Sequence, residues 1–376
     1  MKCLIYADNA ATTKLDIDAF EAMMPYLLDE YGNASQPYSF SRSSKKALQE
    51  ARQIIASCIN AEPDEIYFTS GGTESDNWAI KGTAFFAQGH KTIITTAFEH
   101  NAVLRACKSI ERMGYPVVYI SPNSGGCVTK EALESIITPH TLLVSVMMSN
   151  NEIGTIQPVK ELAEIAHSNG ALFHTDAVQC VGHLPIDVKA LDIDMLSASA
   201  HKFNGPKGVG FLYIKRGVQI ASLLNGGSQE GGRRAGTENI AAIVGMAVAL
   251  KKNCAELASN LNHISKLENA LVSALIEEGI GFHRNGEGAK VPGNLSLSFP
   301  GFEGETLLHR LDVMGIQVST GSACDSVNTQ ISHVLQAIQL DEKVALGTIR
   351  ISLGKENTMD DIMAIVKALS KIMKIQ

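Results

Sequence analysis

The sequence lacks the features that mark several large protein classes. Its 376 residues carry more acidic than basic groups, with a net charge of −7, so the basic excess typical of nucleic-acid-binding proteins is missing. No uninterrupted apolar stretch reaches membrane-spanning length, and the apolar run at the N-terminus is too short for a signal peptide. We therefore expect a cytoplasmic protein that binds neither a membrane nor nucleic acid directly.

Motifs for metals and nucleotides are also missing. The seven cysteines include no C-x-x-C pair, and no cysteine–histidine spacing is typical of zinc, so we expect no intrinsic metal. Neither a Walker loop nor a G-x-G-x-x-G motif occurs, which disfavours a nucleotide or nicotinamide enzyme. The 45% of apolar and 19% of charged residues are typical of a folded chain, and its length suits a large domain plus a smaller one.

Hydrophobic patterns predict an α/β fold. Between residues 65 and 214, short β-branched or apolar runs alternate with helical segments, and residues 142–148 show no polar alternation, as in a strand buried on both faces. This order predicts a mostly parallel sheet covered by helices. Residues 240–280 are predicted to be helical and to lead to a smaller α+β layer at residues 295–373.

Two charged residues follow predicted strands of the sheet. Lys202 comes after small residues and before a glycine-rich turn, where it could form a Schiff base with an aldehyde cofactor. An ordinary surface lysine explains this segment equally well. Asp176 could hold a protonated pyridine nitrogen and Gln179 a ring oxygen, although a helix N-cap is the favoured interpretation of Asp176 taken alone.

Other segments suit anion or ligand binding. The sequence SGGTES at residues 70–75 joins a strand to a helix, so its free N–H groups could bind a phosphate, or it is an ordinary capped turn. His100 follows a strand and could stack on a ring and move protons, although a structural histidine is the simpler interpretation. Asn151 also follows a strand, and adjacent buried amides need partners.

A cysteine and an arginine complete the candidate set. Cys324 lies in a small, polar stretch at residues 321–326, unlike a structural cysteine, which predicts a reactive thiol. Arg350 lies between apolar neighbours and needs a partner, either a substrate carboxylate or a carboxylate of the protein itself.

In this order, the segments resemble the cysteine desulfurases of the NifS/IscS type in the class-V aminotransferase superfamily, which have PLP fold type I. The resemblance covers nearly the whole chain and includes residues 6–13, 31–35, 234–237 and 319–324. It implies pyridoxal 5'-phosphate as the cofactor and a seven-stranded, mostly parallel sheet in the large domain. We place the large domain at residues 15–250, and the smaller α+β domain at residues 1–14 and 251–376.

The resemblance also implies residue roles. Lys202 would hold the cofactor, His100 would stack on the ring and carry protons, and Asp176 and Gln179 would contact ring atoms. Residues implied around the phosphate are Gly72, Thr73, Ser199, His201 and, from the other subunit of a homodimer, Thr237. Residues implied around the substrate carboxylate are Asn151 and Arg350, with Asn33 nearby.

The implied reaction converts L-cysteine to L-alanine and leaves a persulfide on Cys324, for transfer to an acceptor such as an iron–sulfur scaffold protein. The spacing after Gly321 resembles the branch with a long loop. Asp325 and Ile331 depart from the family pattern, and a carboxylate beside Cys324 is expected to raise the pKa of its thiol. The alternatives are a selenocysteine lyase or other β-lyase on the same scaffold, and a non-catalytic cofactor-binding scaffold protein.

Overall fold

The computed structural model describes residues 4–87, 89–320 and 331–374. The strands within these ranges are β1 (Ile5–Tyr6), β2 (Ile66–Thr69), β3 (Thr92–Thr96), β4 (Val117–Ile120), β5 (Thr141–Ser145), β6 (Leu172–Asp176), β7 (Met195–Ser199), β8 (Gly210–Ile214), β9 (His283–Arg284), β10 (Asn294–Ser298), β11 (Ile316–Gln317) and β12 (Thr348–Ser352). The α-helices are α1 (Ile17–Leu28), α2 (Arg42–Cys58), α3 (Gly72–Phe86), α4 (Asn101–Glu111), α5 (Lys130–Glu134), α6 (Val159–Ser168), α7 (Ile240–Ala255), α8 (Leu257–Glu277), α9 (Gly304–Val313), α10 (His333–Ala337), α11 (Glu342–Ala345) and α12 (Met359–Met373).

The central sheet has seven strands in the order β2-β8-β7-β6-β5-β3-β4. Strands β4, β3, β5, β6 and β7 are parallel to one another, whereas β8 pairs antiparallel with both β7 and β2. Every residue of β7 and β8 is buried, as expected where helices cover both faces of a sheet. The predicted seven-stranded, mostly parallel sheet is thus confirmed.

Two small sheets lie apart from the central one. Strands β12, β10 and β9 form an antiparallel sheet, and β1 pairs in parallel with β11. A bridge between Asp8 and Ser352 brings the N-terminal segment alongside β12. The N-terminal residues therefore lie beside strands that come from the far end of the chain.

The helical region predicted at residues 240–280 is two helices, with Glu256 between α7 and α8. Buried residues of α7, such as Met246 and Leu250, belong to the large apolar core, whereas Leu267 and Leu271 of α8 belong to a second, smaller core. The break lets the chain pass from one core to the other. The domain boundaries themselves remain a prediction.

None of the described helices is long and apolar enough to cross a membrane.

Candidate active site

A cavity of about 1040 Å³ opens at the carboxyl ends of the parallel strands. Ligands of open α/β sheets bind at this edge because the loops that leave the strands converge there. Ten of the predicted site residues line it, namely Gly72, Thr73, His100, Asn151, Asp176, Gln179, Ser199, His201, Lys202 and Arg350. Side chains from positions as far apart as 72 and 350 are therefore brought to one cavity by the fold.

Lys202 lies in a short 3-10 turn directly after β7. Its Nζ donates hydrogen bonds to the carbonyl oxygens of Ala10 at 2.6 Å and Ala11 at 2.9 Å. The Lys202 carbonyl oxygen accepts a hydrogen bond from Nε2 of the half-buried His183 at 2.8 Å, which fixes the backbone at this point. The amine is thus held at the cavity wall on a backbone that is itself anchored.

Asp176 is the last residue of β6 and is buried at the floor of the cavity. Its Oδ1 accepts a hydrogen bond from the Val178 N–H at 2.9 Å. Burial raises the pKa of Asp176, while the neighbouring His100 and Lys202 oppose the shift. A buried carboxylate of this kind is stabilised by a cationic partner, and a protonated pyridine nitrogen supplies one.

The opposite side of the cavity is suited to an anion. Helix α3 begins at Gly72, where the first N–H groups have no partner within the helix. A Cβ on Gly72 would lie 2.7 Å from Val178 Cγ2, so only glycine lets the helix start pack this closely beside Ser199 and Val178. The amine, the buried carboxylate and the helix N-terminus together fit the aldehyde, ring nitrogen and phosphate of pyridoxal 5'-phosphate.

His201 lies in the short 3-10 turn after β7 and lines the same cavity. Its Nδ1 lies 3.1 Å from Thr12 Oγ1. Burial, together with the positive charges of Lys202 and Lys207, lowers the pKa of His201 to about 4. The ring is therefore neutral at pH 7, with one nitrogen carrying a proton and the other free of one.

His100 is the N-cap of α4, and its Nδ1 accepts a hydrogen bond from the Ala102 N–H at 3.1 Å. The proton of the neutral ring is therefore on Nε2. Burial lowers the pKa of His100, Asp176 opposes the shift, and Lys202 and His333 add to it. Atoms of Asp76, His100 and Asp176 lie within 4.8 Å of one another, so the imidazole lies directly beside the two acids.

Arg350 of β12 is 4% exposed and reaches the cavity from the small antiparallel sheet. Its Nη1 donates to the carbonyl oxygen of Asn151 at 2.9 Å, and its Nη2 donates to Asp8 Oδ1 at 2.8 Å. Gln179 uses its Nε2 to donate to the Ala10 carbonyl at 3.0 Å. The arginine thus pairs with a carboxylate of the protein and also lines the cavity, and its role toward a substrate carboxylate stays a prediction.

Among the described residues, two predicted ones, Asn33 and Thr237, do not line this cavity. Asn33 is half-buried, and its Oδ1 accepts a hydrogen bond from the Ser35 N–H at 2.9 Å. Thr237 is exposed, as a residue that serves a partner subunit must be before the partner binds. Cys324 lies outside the described residues. All three roles remain predictions.

Sequence analysis missed four residues at or behind the cavity. Asp76 lines it one turn into α3, and His333 lines it at the start of α10, with its Nε2 donating to the Glu99 carbonyl at 2.9 Å. Glu99 is fully buried beside His100, and Asp8 pairs with Arg350. The one signal for Glu99 and Asp76 was their position next to predicted site residues, because Glu99 precedes His100 and Asp76 follows the segment at residues 70–75. Nothing local marked His333 or Asp8.

Comparison with known proteins places the chain among relatives that match it along its length. The Aminotransferase class-V family model matches residues 5–365. The chain is 46% identical to a cysteine desulfurase IscS of Methanosarcina thermophila over 98% of this chain and 92% of the relative. It is 46% identical to a cysteine desulfurase IscS of Clostridium botulinum over 98% of this chain and 94% of the relative.

Solved structures agree with the sequence comparison. A NifS-like protein has a TM-score of 0.94 and 39% identity, with both chains covered completely. A structure described as SspA in complex with cysteine has a TM-score of 0.85 and 34% identity, over 94% of this chain and 100% of that one. The chain therefore belongs to the class-V aminotransferase family and, within it, to the cysteine desulfurases of the NifS/IscS type.

Proposed function

We propose that this protein is a pyridoxal-phosphate-dependent cysteine desulfurase that converts L-cysteine to L-alanine and retains the sulfur as a persulfide on Cys324. The observation that carries the proposal is the cavity in which Lys202, the Asp176 carboxylate and the N-terminus of α3 converge. These three groups match the aldehyde, ring nitrogen and phosphate of the cofactor. The relatives named cysteine desulfurase support the choice of substrate.

When bound, the cofactor supplies an electron sink that acidifies the Cα–H and weakens the Cβ–S bond of an amino acid substrate. Lys202 would hold the cofactor aldehyde, and its amine would serve as the base for the Cα proton of the substrate. Asp176 would hold a protonated ring nitrogen, because a cation beside a buried carboxylate is strongly favoured. The neutral His100, with its proton on Nε2, is placed to exchange protons with sulfur.

Arg350 and Asn151 are proposed to bind the substrate carboxylate. The guanidinium is buried and Nη1 and Nη2 each keep a second N–H beyond the bonds to Asn151 and Asp8. Asn33 is proposed to lie near the carboxylate in the assembled enzyme. A buried arginine favours a carboxylate because two parallel N–H groups fit its two oxygens.

The sulfur step transfers one sulfur atom from the substrate to the protein. The Cβ–S bond of cysteine breaks, an S–S bond to Cys324 Sγ forms, and the Cβ of the product gains a proton, which gives L-alanine and a persulfide. The persulfide is then proposed to pass to a sulfur-acceptor protein such as an iron–sulfur scaffold, in the cytoplasm. Arg105 and Lys207 line the same cavity and add positive charge to it.

A homodimer is the proposed assembly. One face of α1 exposes Ile17, Phe20, Met24, Leu27 and Leu28, each between 42% and 68% exposed. Spacings of three and four residues place them on one side of the helix, and an apolar patch of this size is typical of a subunit interface. The ion pair of Arg234 with Glu74, at 2.8 Å, fixes the segment before Thr237 against α3, from which Thr237 is proposed to reach the partner's phosphate.

The test supplies L-cysteine to the purified holoenzyme and measures L-alanine and protein-bound sulfur together. We expect equal amounts of both in a single turnover. Lys202→Ala should lose the cofactor absorbance at the edge of the visible range, whereas Cys324→Ala should keep that absorbance and form no persulfide. Normal turnover by Cys324→Ala would overturn the persulfide mechanism, and sulfur release only from selenocysteine would favour the lyase alternative.

A further inference from the structure

The N-terminal segment at residues 8–11 contacts two groups of the candidate site, Lys202 and Arg350. Its Ala10 and Ala11 carbonyl oxygens accept hydrogen bonds from Lys202 Nζ, and the Asp8 carboxylate pairs with the Arg350 guanidinium at 2.8 Å. One short piece of backbone therefore lies between the reactive amine and the arginine. The comparisons and the motifs assign no role to Asp8.

The segment is itself fixed between the two domains' strands. The Asn9 N–H donates to the Ser352 carbonyl at 3.1 Å, and the Ala10 N–H donates to Ser352 Oγ at 2.9 Å, both on β12. From the other side, Gln179 donates to the Ala10 carbonyl. Because these bonds come from β12 and from the loop after β6, the segment holds the two regions at a set separation.

Asp8 is the charged contact of Arg350 in the described part of the chain. The Arg350 side chain is 5% exposed, Nη1 is held by the Asn151 carbonyl, and Nε is buried with no hydrogen-bond partner among the described residues. A long guanidinium side chain has many rotamers, so a charge-assisted bond to Asp8 restricts its orientation. Without Asp8, one carbonyl bond would be left to orient the buried cation.

We propose that Asp8 is a positioning residue that holds the Arg350 guanidinium at a fixed distance from Lys202 and so makes the site selective for amines with a carboxylate on the same carbon. The inference rests on the proposed function, which supplies L-cysteine as the substrate. An α-amino acid presents its nitrogen and carboxylate at one short separation. A segment that contacts both binding groups therefore sets which amines can engage both at once.

The experiment compares binding of L-alanine and ethylamine, which differ only in the carboxylate, to the holoenzyme by isothermal titration calorimetry. Asp8→Ala should reduce the preference for L-alanine over ethylamine about tenfold, the size expected for a lost charged hydrogen bond. In turnover, KM for L-cysteine should rise by a similar factor while kcat changes less than about twofold. Asp8→Asn keeps an oxygen acceptor for Nη2 and should restore the preference to within about threefold.

Glu356→Gln is the matched control, because it removes one acid from an exposed pair with Lys14 near the same segment. The proposal is overturned if Asp8→Ala leaves the preference unchanged, or if affinity for ethylamine falls as much as affinity for L-alanine. If Asp8→Ala does not fold, Asp8→Ser is tested in its place, with the same expected loss of preference for L-alanine. If the wild-type enzyme formed no alanine from cysteine, the proposed function would be wrong, which is a different outcome from an unchanged preference in the variant.

Discussion

Burial sets the protonation of several groups around the cavity. It lowers the pKa of His174 to about 3 and that of His201 to about 4, and it raises the pKa of Glu99 to about 8. His174 lies between Ser145 Oγ at 2.8 Å and Ser197 Oγ at 3.0 Å, a neutral arrangement that suits an uncharged imidazole. Positive charge near the cavity therefore comes from lysine and arginine and not from these histidines.

Glu99 supports the turn that carries His100. Its Oε1 accepts hydrogen bonds from Thr96 Oγ1 at 2.8 Å and from the Met147 N–H at 2.9 Å. Its Oε2 is buried with no hydrogen-bond partner among the described residues, so a proton on Oε2 is the low-energy state near pH 7. A carboxyl group that stays neutral beside Asp176 avoids a further buried negative charge.

Glu99→Gln should change how stability depends on pH. Because the folded-state pKa of Glu99 is raised to about 8, the folded protein binds a proton that the unfolded chain releases above about pH 4.5, so this group's stabilisation is lost as pH rises toward 8. The slope is at most about 1.4 kcal/mol per pH unit. Melting temperatures between pH 5 and pH 8 should fall more steeply for the wild type than for Glu99→Gln.

Exposed Glu134→Gln controls for the loss of one carboxylate. Parallel curves for the wild type and Glu99→Gln would mean that Glu99 is charged in the folded protein, contrary to the expectation.

At the scale of elements, strand order and close packing place the site. Strand β8 runs between β2 and β7, and its Gly210 pairs with Thr69 on one side and with Ser199 on the other. A Cβ on Gly210 would lie 2.7 Å from Gly71 Cα and would also collide with the Ala198 carbonyl oxygen. The absence of a side chain there lets the turn before α3 lie against the end of β7.

Gly210→Ala should therefore push the start of α3 away from Ser199. Overpacking of this kind costs about 1–3 kcal/mol of folding free energy, and a displaced helix N-terminus binds the phosphate less well. We expect a lower denaturation midpoint and release of the cofactor at lower dilution, measured by absorbance after gel filtration. Gly281→Ala, where a Cβ meets nothing within 4 Å, is the control and should leave both values unchanged.

The sequence predicted which segments are helices and which are strands more accurately than it predicted where they begin, end or break. The run at residues 142–148 was predicted as one strand, whereas β5 is Thr141–Ser145 and the chain then turns toward Asn151. Strands were predicted to end at His174 and Ser197, with Asp176 and Ser199 just beyond them, whereas β6 and β7 continue two residues further and include both. The break at Glu256 was not, since both flanking helices are apolar enough to continue the pattern.

For the whole molecule, the exposed apolar face of α1 leads to a prediction about how subunits assemble. Leu27→Glu places a charge on the exposed apolar face, which should separate the proposed dimer because a buried unpaired carboxylate is costly. Sedimentation velocity should then show half the mass of the wild type. Ile276→Glu, at a site that is 63% exposed on α8, is the control and should remain dimeric. A Leu27→Glu protein of unchanged mass would place the interface elsewhere.

The sequence by itself determined the fold class, the family and ten of the residues that line the cavity, because hydrophobic period and motif order can be recognised along the chain. Only the tertiary structure decided that residues 8–11 lie between Lys202 and Arg350, and that His333 donates to the Glu99 carbonyl. Asp8 and Arg350 are separated by more than 300 positions, and no local pattern encodes such a contact. The physical reason is that burial and ion pairing depend on which parts of the chain are in contact. Those contacts form only when the two cores have packed.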